Sequence, residues 1–232
     1  MIVMKQFWVL AAGGYNVDFS GVFDLAPFLV SGIKITLLVA AGSFTLAVAL
    51  GLFVAVARVA GPRLIDQFLT IYVDIGRSVP DIVIIFLTFF LLPVAIGTDV
   101  DPVQAGIVAL GFGSGAAFSE LFRGGIYSLD RGQWLAGRAI GMSTPQLYRR
   151  VILPQAIVRM LPPLGSQTIS LMKATALVSL IGVADLMWQG EAVTMWMSRR
   201  FETYTVVAVL YFLLTTPIAV LFNIMHSKLR VE

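Results

Sequence analysis

Four ionisable side chains, Asp81, Glu120, Lys173 and Asp185, stand inside or at the edge of long apolar runs, and any chemistry this chain performs must start from them. A charge at the centre of a bilayer costs about 2.5–3.5 kcal/mol on insertion scales, so each is expected to face protein or water rather than lipid. Glu120 and Lys173 are placed to satisfy one another as an ion pair. Asp81 is the sharper candidate for binding, because it follows Pro80, where a bend frees backbone groups, and a carboxylate there attracts a cationic side chain. Asp74 and Arg77, three residues apart just upstream, read as a local salt bridge. Covalent and metal chemistry lack their residues: cysteine is absent and His226 is the one histidine, so no catalytic set and no metal-ligating set is assigned. No Gly-x-x-x-x-Gly-Lys-Ser/Thr occurs either, so the chain holds no ATP through a P-loop of its own.

Those side chains need elements to position them, and the composition says where the elements lie. Of 232 residues, 58% are hydrophobic and 12% charged, against roughly 25% charged in soluble domains. The chain belongs in a lipid bilayer. A net charge of +3 invites a nucleic-acid reading, but the basic residues flank apolar segments and are better explained by membrane orientation. Ile35 to Ala57 carries no charge and is long enough to cross a hydrocarbon core of roughly 30 Å. The run from Ile82 to Gly97 is too short alone, so its helix is expected to begin near Leu64 and to bend or break at Pro80. With Val103–Phe118, Thr168–Leu186 and Val206–Met225, the pattern predicts an all-α membrane protein of about five transmembrane helices. The expected spans are 28–57, 64–97, 103–122, 164–186 and 205–226, in one domain covering 1–232.

Three alternate connections hold 10 of the 16 basic residues. Short loops rich in Lys and Arg face the cytoplasm, which puts the N-terminus outside and the C-terminus inside. Residues 1–13, with Lys5 ahead of the apolar Phe7–Ala12, are expected to form a short interfacial leader. Within the third span, Gly111 and Gly115 are four residues apart on one helical face, a small-residue seam for close helix packing rather than a dinucleotide fingerprint.

The connection 123–163 is far longer than the usual 4 to 6 residues and must fold. Gln133–Ile140 reads as a helix stopped at Gly141, a residue that takes the left-handed conformation without steric penalty. Ser143-Thr144-Pro145-Gln146 has the capping-box spacing with proline in the first turn, so a second helix starts there and is expected to end before Pro154. Arg138, Arg149 and Arg150 give this helix–glycine–helix unit a basic side. Trp134 and Ile140 are its expected anchors for a groove on a partner. An amphipathic hairpin lying at lipid headgroups is the alternative on composition alone.

Gly132-Gln133-Trp134-Leu135-Ala136-Gly137-Arg138-Ala139-Ile140-Gly141, followed by Arg149-Arg150-Val151-Ile152-Leu153-Pro154, resembles the cytoplasmic EAA loop of ABC importer permeases. It departs at two positions: Leu135 stands where the pattern has Glu, and Gly137 replaces its second Ala. Gly76–Asp81, Phe118–Ile126 and Lys173–Gly182 extend the resemblance over roughly residues 25–230. They are similar to the permeases for histidine and for lysine, arginine and ornithine, and to their opine-uptake relatives. That resemblance implies a permease subunit of an ATP-driven importer in a bacterial inner membrane, paired with a sister permease. It also implies two copies of an ATPase that binds ATP and Mg, and a periplasmic or extracellular substrate-binding protein. It makes Trp134, Ala136, Arg138, Ala139, Gly141, Arg149, Arg150, Leu153 and Pro154 the ATPase-coupling residues. Asp81, Glu120, Lys173 and Thr175 become the substrate-pathway candidates, for a polar, cationic amino acid or an opine. The rival expectations are an ion-coupled secondary transporter, whose paired repeats five spans accommodate poorly, and a non-transporting membrane scaffold.

Overall fold

The computed structural model describes residues 16–229, and among them the regular structure is helical throughout. A short helix α1 (Ser20–Asp24) leads into α2 (Ala26–Ala60), whose 35 residues span about 52 Å at 1.5 Å per residue. Then follow α3 (Arg63–Ser78), α4 (Asp81–Ile96), α5 (Pro102–Tyr127) and α6 (Arg131–Ala139). A continuous helix α7 (Thr144–Ile181) precedes α8 (Leu186–Met197) and α9 (Arg200–Leu229). Helices α2, α5, α7 and α9 are each long and apolar enough to cross a membrane, and the bent pair α3–α4 makes a fifth candidate. The expected leader at residues 1–13 lies outside the described residues.

The core of the bundle is the seam between α2 and α5, and the glycines are what let it close. A Cβ on Gly51 would come 2.7 Å from the Phe118 Cβ, and one on Gly115 would come 3.2 Å from the Leu50 Cβ. The first distance is too short for a side chain and the second is tighter than an ordinary contact, so the helices approach closely as small-residue membrane interfaces allow. The expected packing role of Gly111 and Gly115 is what the structure holds, with Gly111 against Leu46. Asp101 starts α5 by accepting from the Val103 and Gln104 amides at 2.9 and 3.3 Å, with Pro102 in the first turn. Satisfying these orphan amides is the work of an N-cap.

Pro80 breaks the second span as expected, and more sharply than one bent crossing would need: α3 and α4 meet at 110°. Val79, just before the proline, is extended at φ −82°, ψ 130°, because the proline ring disfavours the helical region for its predecessor.

The fourth span differs from its expected bounds. The second hairpin helix does not end before Pro154 but runs on from Thr144 to Ile181 as the span itself. A widened π-turn at Tyr148–Ile152 precedes the proline. Such a turn absorbs the missing amide and the clash of the ring with the carbonyl four residues back. The helix tightens to a 3-10 turn over Thr175–Ile181 and stops at Gly182, φ +85°.

Candidate functional site

The hairpin is α6, the turn at Gly141 and the first turns of α7. The Asp130 carboxylate accepts from the Gly132 amide at 2.8 Å to start α6. At its other end Gly141 takes φ +80°. The Met142 amide donates to the Gly137 carbonyl at 3.0 Å and the Gly141 amide to Arg138 at 3.0 Å, the two bonds of a Schellman ending. The capping box at Ser143 and Gln146 is formed in both directions. Gly137, in the position of the second Ala of the motif, lets the two arms meet: a Cβ there would sit 2.4 Å from Leu147 Cδ1. Leu129, Leu147, Ile152, Ala156 and Met160 form a small core beneath them.

Trp134 belongs to that core rather than to a docking surface. Its ring meets Tyr148 edge-on at 5.1 Å and 80°, so the expected outward anchor is turned in. The outward apolar residues are Leu135, 68% exposed, and Ile140, 75% exposed. Ala136, Arg138, Ala139, Gly141, Arg149, Arg150, Leu153 and Pro154 are exposed as well. The hairpin is thus a unit with its own small core and two large apolar side chains held outward.

The second feature lies at the elbow. A polar cavity of ≈ 220 Å³ opens where α3, α4, α5 and α7 converge, and its polar lining is Arg77, Asp81, Ser114, Gln167 and Ser170. Asp81 reaches it because the chain restarts as a helix directly after Pro80. Arg77 reaches it too, and the expected Asp74–Arg77 salt bridge is not formed. An exposed i,i+3 pair is worth only about 0.2–0.5 kcal/mol, too little to hold Arg77 from the cavity. Among the described residues neither Arg77 nor Asp81 has an ion-pair partner. Arg77, Ser114, Gln167 and Ser170 were not among the candidates from sequence, since no local pattern sets three neutral polar residues on two separate helices apart from ordinary helix packing.

The other charged candidates go elsewhere. Glu120 does not pair with Lys173: its carboxylate takes Arg58 Nη1 from α2 and two bonds from Arg123, Nε at 3.1 Å and Nη2 at 2.8 Å. Arg58 Nε also donates to Asp66 of α3 at 2.9 Å. Four residues of three helices thus form one network at the hairpin end of the bundle. Lys173 is exposed and outside the cavity lining, and Thr175 is buried, its hydroxyl donating to the Met172 carbonyl at 2.7 Å. Asp185, fully buried, starts α8 by accepting from the Trp188 amide at 2.9 Å and accepts the Tyr211 hydroxyl at 3.2 Å. It is a helix cap sunk into the bundle.

Residues 47–231 match the family described as the binding-protein-dependent transport system inner membrane component. The chain belongs to that family. As a whole it is similar to the glutamine transport system permease protein GlnP of Escherichia coli K12, 32% identical over 92% of this chain and 98% of the relative. It is similar also to the L-cystine transport system permease protein TcyL of Bacillus subtilis 168, 28% identical over 92% of each. In three dimensions it resembles a crystal structure of an amino acid ABC transporter with histidines: TM-score 0.85, 32% identity, 92% of this chain and 99% of that one.

The inner membrane component described here is therefore a permease subunit of an amino acid ABC importer, a multi-pass protein of the inner membrane. It is not an enzyme, and ATP hydrolysis falls to a partner ATPase. The rival readings as an ion-coupled transporter or a scaffold give way to that membership.

Proposed function

We propose that this permease passes a polar amino acid through the cavity at the α3–α4 elbow. Motion of two ATPase subunits would reach it through the hairpin. The observation that carries this reading is that two opposite charges, Arg77 and Asp81, line one polar cavity and have no ion-pair partner among the described residues. An amino acid zwitterion presents a carboxylate and an ammonium, and a site with one cation and one anion answers both through charge-assisted bonds. Asp81 and the resemblance to histidine and lysine–arginine–ornithine permeases support a cationic side chain, or an opine. The neutral remainder of the lining, Ser114, Gln167 and Ser170, together with relatives named for glutamine and cystine, favours a neutral polar side chain as the second reading.

In the assembly we propose, the chain pairs with a sister permease and is served by a periplasmic or extracellular substrate-binding protein. Its N-terminus lies outside, its C-terminus inside, and its hairpin faces the ATPase, where ATP and Mg are bound. Leu135 and Ile140 supply the apolar contact and the arginines its basic rim. Uptake by the reconstituted complex, in competition with histidine, arginine, lysine, octopine and glutamine, tests the substrate. Competition by the cationic set or octopine alone supports the first reading and competition by glutamine alone the second. Uptake that none of the five reduces would overturn both.

A further inference from the structure

Of α3, only Val73 and Gly76 are buried, and the helix is held to the bundle at three heights. At its start Asp66 accepts from Arg58 Nε at 2.9 Å. In its middle the Tyr72 hydroxyl donates to the Phe112 carbonyl at 2.9 Å, with the rings edge-on at 4.9 Å. At its end Gly76 lies against α5 so closely that a Cβ would come 2.6 Å from the Ala116 Cβ. The second and third join α3 to α5 by a neutral hydrogen bond with ring contact and by close packing. The first is an ion pair, and its cation is shared, because Arg58 also holds Glu120 of α5, which holds Arg123.

The network has three properties that a simple brace would not need. Arg58 is 8% exposed, and a guanidinium so buried must stay paired, since removing a partner leaves an uncompensated charge at a cost of several kcal/mol. Its two acceptors sit on different helices, α3 and α5. Two arginines and two carboxylates also close the charge balance. Arg58 holds both acceptors at once, so the positions of α3 and α5 are tied through one buried cation, and a displacement of either helix is felt by the other.

The ends of the two helices say what such a tie would join. From Asp66 to Ser78, α3 runs about 18 Å at 1.5 Å per residue, carrying Arg77 at its end and leading through Pro80 to Asp81. From Glu120, α5 runs to Tyr127 and the hairpin opens at Arg131.

We propose that the Arg58–Asp66–Glu120–Arg123 network is a latch through which movement of the hairpin and α5 sets the pose of α3, and with it the Arg77–Asp81 cavity. Arg58 is its positioning residue and contacts no substrate. This inference rests on the ATP-driven reading above and adds the route by which the two ends communicate.

The test uses the full complex in proteoliposomes and reads amino acid transported per ATP hydrolysed. Asp66 is 47% exposed, so Asp66→Asn removes the negative charge of one of the two partners while Arg58 keeps Glu120. Coupling between sites is typically fivefold or more in an equilibrium, so the transport ratio in Asp66→Asn is expected to fall about fivefold. Asp66→Glu, which restores a carboxylate, recovers most of it. Arg58→Lys keeps the charge but loses the forked reach to two acceptors, and it too lowers the ratio. A wild-type ratio in Asp66→Asn or in Arg58→Lys, or an Asp66→Glu complex as uncoupled as Asp66→Asn, overturns the latch. Transport by the wild-type complex without ATP hydrolysis would sink the ATP-driven reading instead, so the two failures are told apart.

Discussion

The hairpin takes its core from one stretch of chain, Leu129 to Met160, while the cavity takes its lining from four helices between Gly76 and Ala174. The hairpin satisfies itself: its helix ends are capped by Asp130, by the Schellman bonds at Gly141 and by the Ser143–Gln146 box. The cavity does the opposite and leaves Arg77 and Asp81 without ion-pair partners among the described residues. A part that satisfies its own polar groups moves as a body, whereas exposed charges facing a cavity stay free to meet a partner from outside the chain. On the proposed reading, one chain carries a rigid handle and a receptacle, joined by α5 and α7.

That contrast breaks most visibly at Gly141. In Gly141→Val a β-branched residue is forced to φ > 0, where even an unbranched L-residue loses roughly 1–2 kcal/mol. The handle deforms, and transport together with substrate-stimulated ATP hydrolysis is expected to fall at least about tenfold, measured on the assembled complex. Asp81→Asn probes the receptacle alone. Losing one charge-assisted bond worth about 1.5–3 kcal/mol should raise the KM for uptake about tenfold or more, with the ATPase still bound to the hairpin in a pull-down. A variant that lost the ATPase would mean that the two regions are not separate parts.

Smaller effects sharpen the same division. Gly51→Leu overpacks the α2–α5 seam that both regions hang from, and a loss of about 1–3 kcal/mol is expected as a lowered thermal midpoint in detergent. Leu135→Ser changes an exposed residue, so folding stability should stay within about 0.5 kcal/mol. Affinity for the ATPase should still weaken roughly fivefold, as at a contact worth about 1 kcal/mol, measured by titrating the ATPase onto the reconstituted permease.

How much of this could be read from sequence follows the same line. The hairpin was legible because its signals are local: a glycine after a helical pattern, Ser three residues before Gln, proline in a first turn. The break at Pro80 and the seam at Gly111 and Gly115 were legible for the same reason. Two local readings failed where a neighbouring feature intervened. Trp134 has the hydrophobicity of an anchor, but Tyr148, fourteen residues on, offers its ring an inward partner. Pro154 has the signature of a helix end, but the π-turn before it removes the clash. The charge pairings were not legible, because Glu120 had cations available on several helices and only the fold brings Arg58, from the end of α2, to its side. Arg77 was assigned to Asp74 by proximity in sequence, when the elbow gave it a cavity.

In the proposed assembly the outward face of the hairpin is gripped by the nucleotide-hydrolysing subunit. The chain has no native cysteine, so Ile140→Cys places a single thiol at the most outward apolar position of the turn. In the functional complex that thiol should cross-link to the ATPase and be shielded from a water-soluble maleimide. Full labelling of Ile140→Cys by the maleimide in a complex that still transports, with no cross-link to the ATPase, would show that the ATPase does not grip the hairpin.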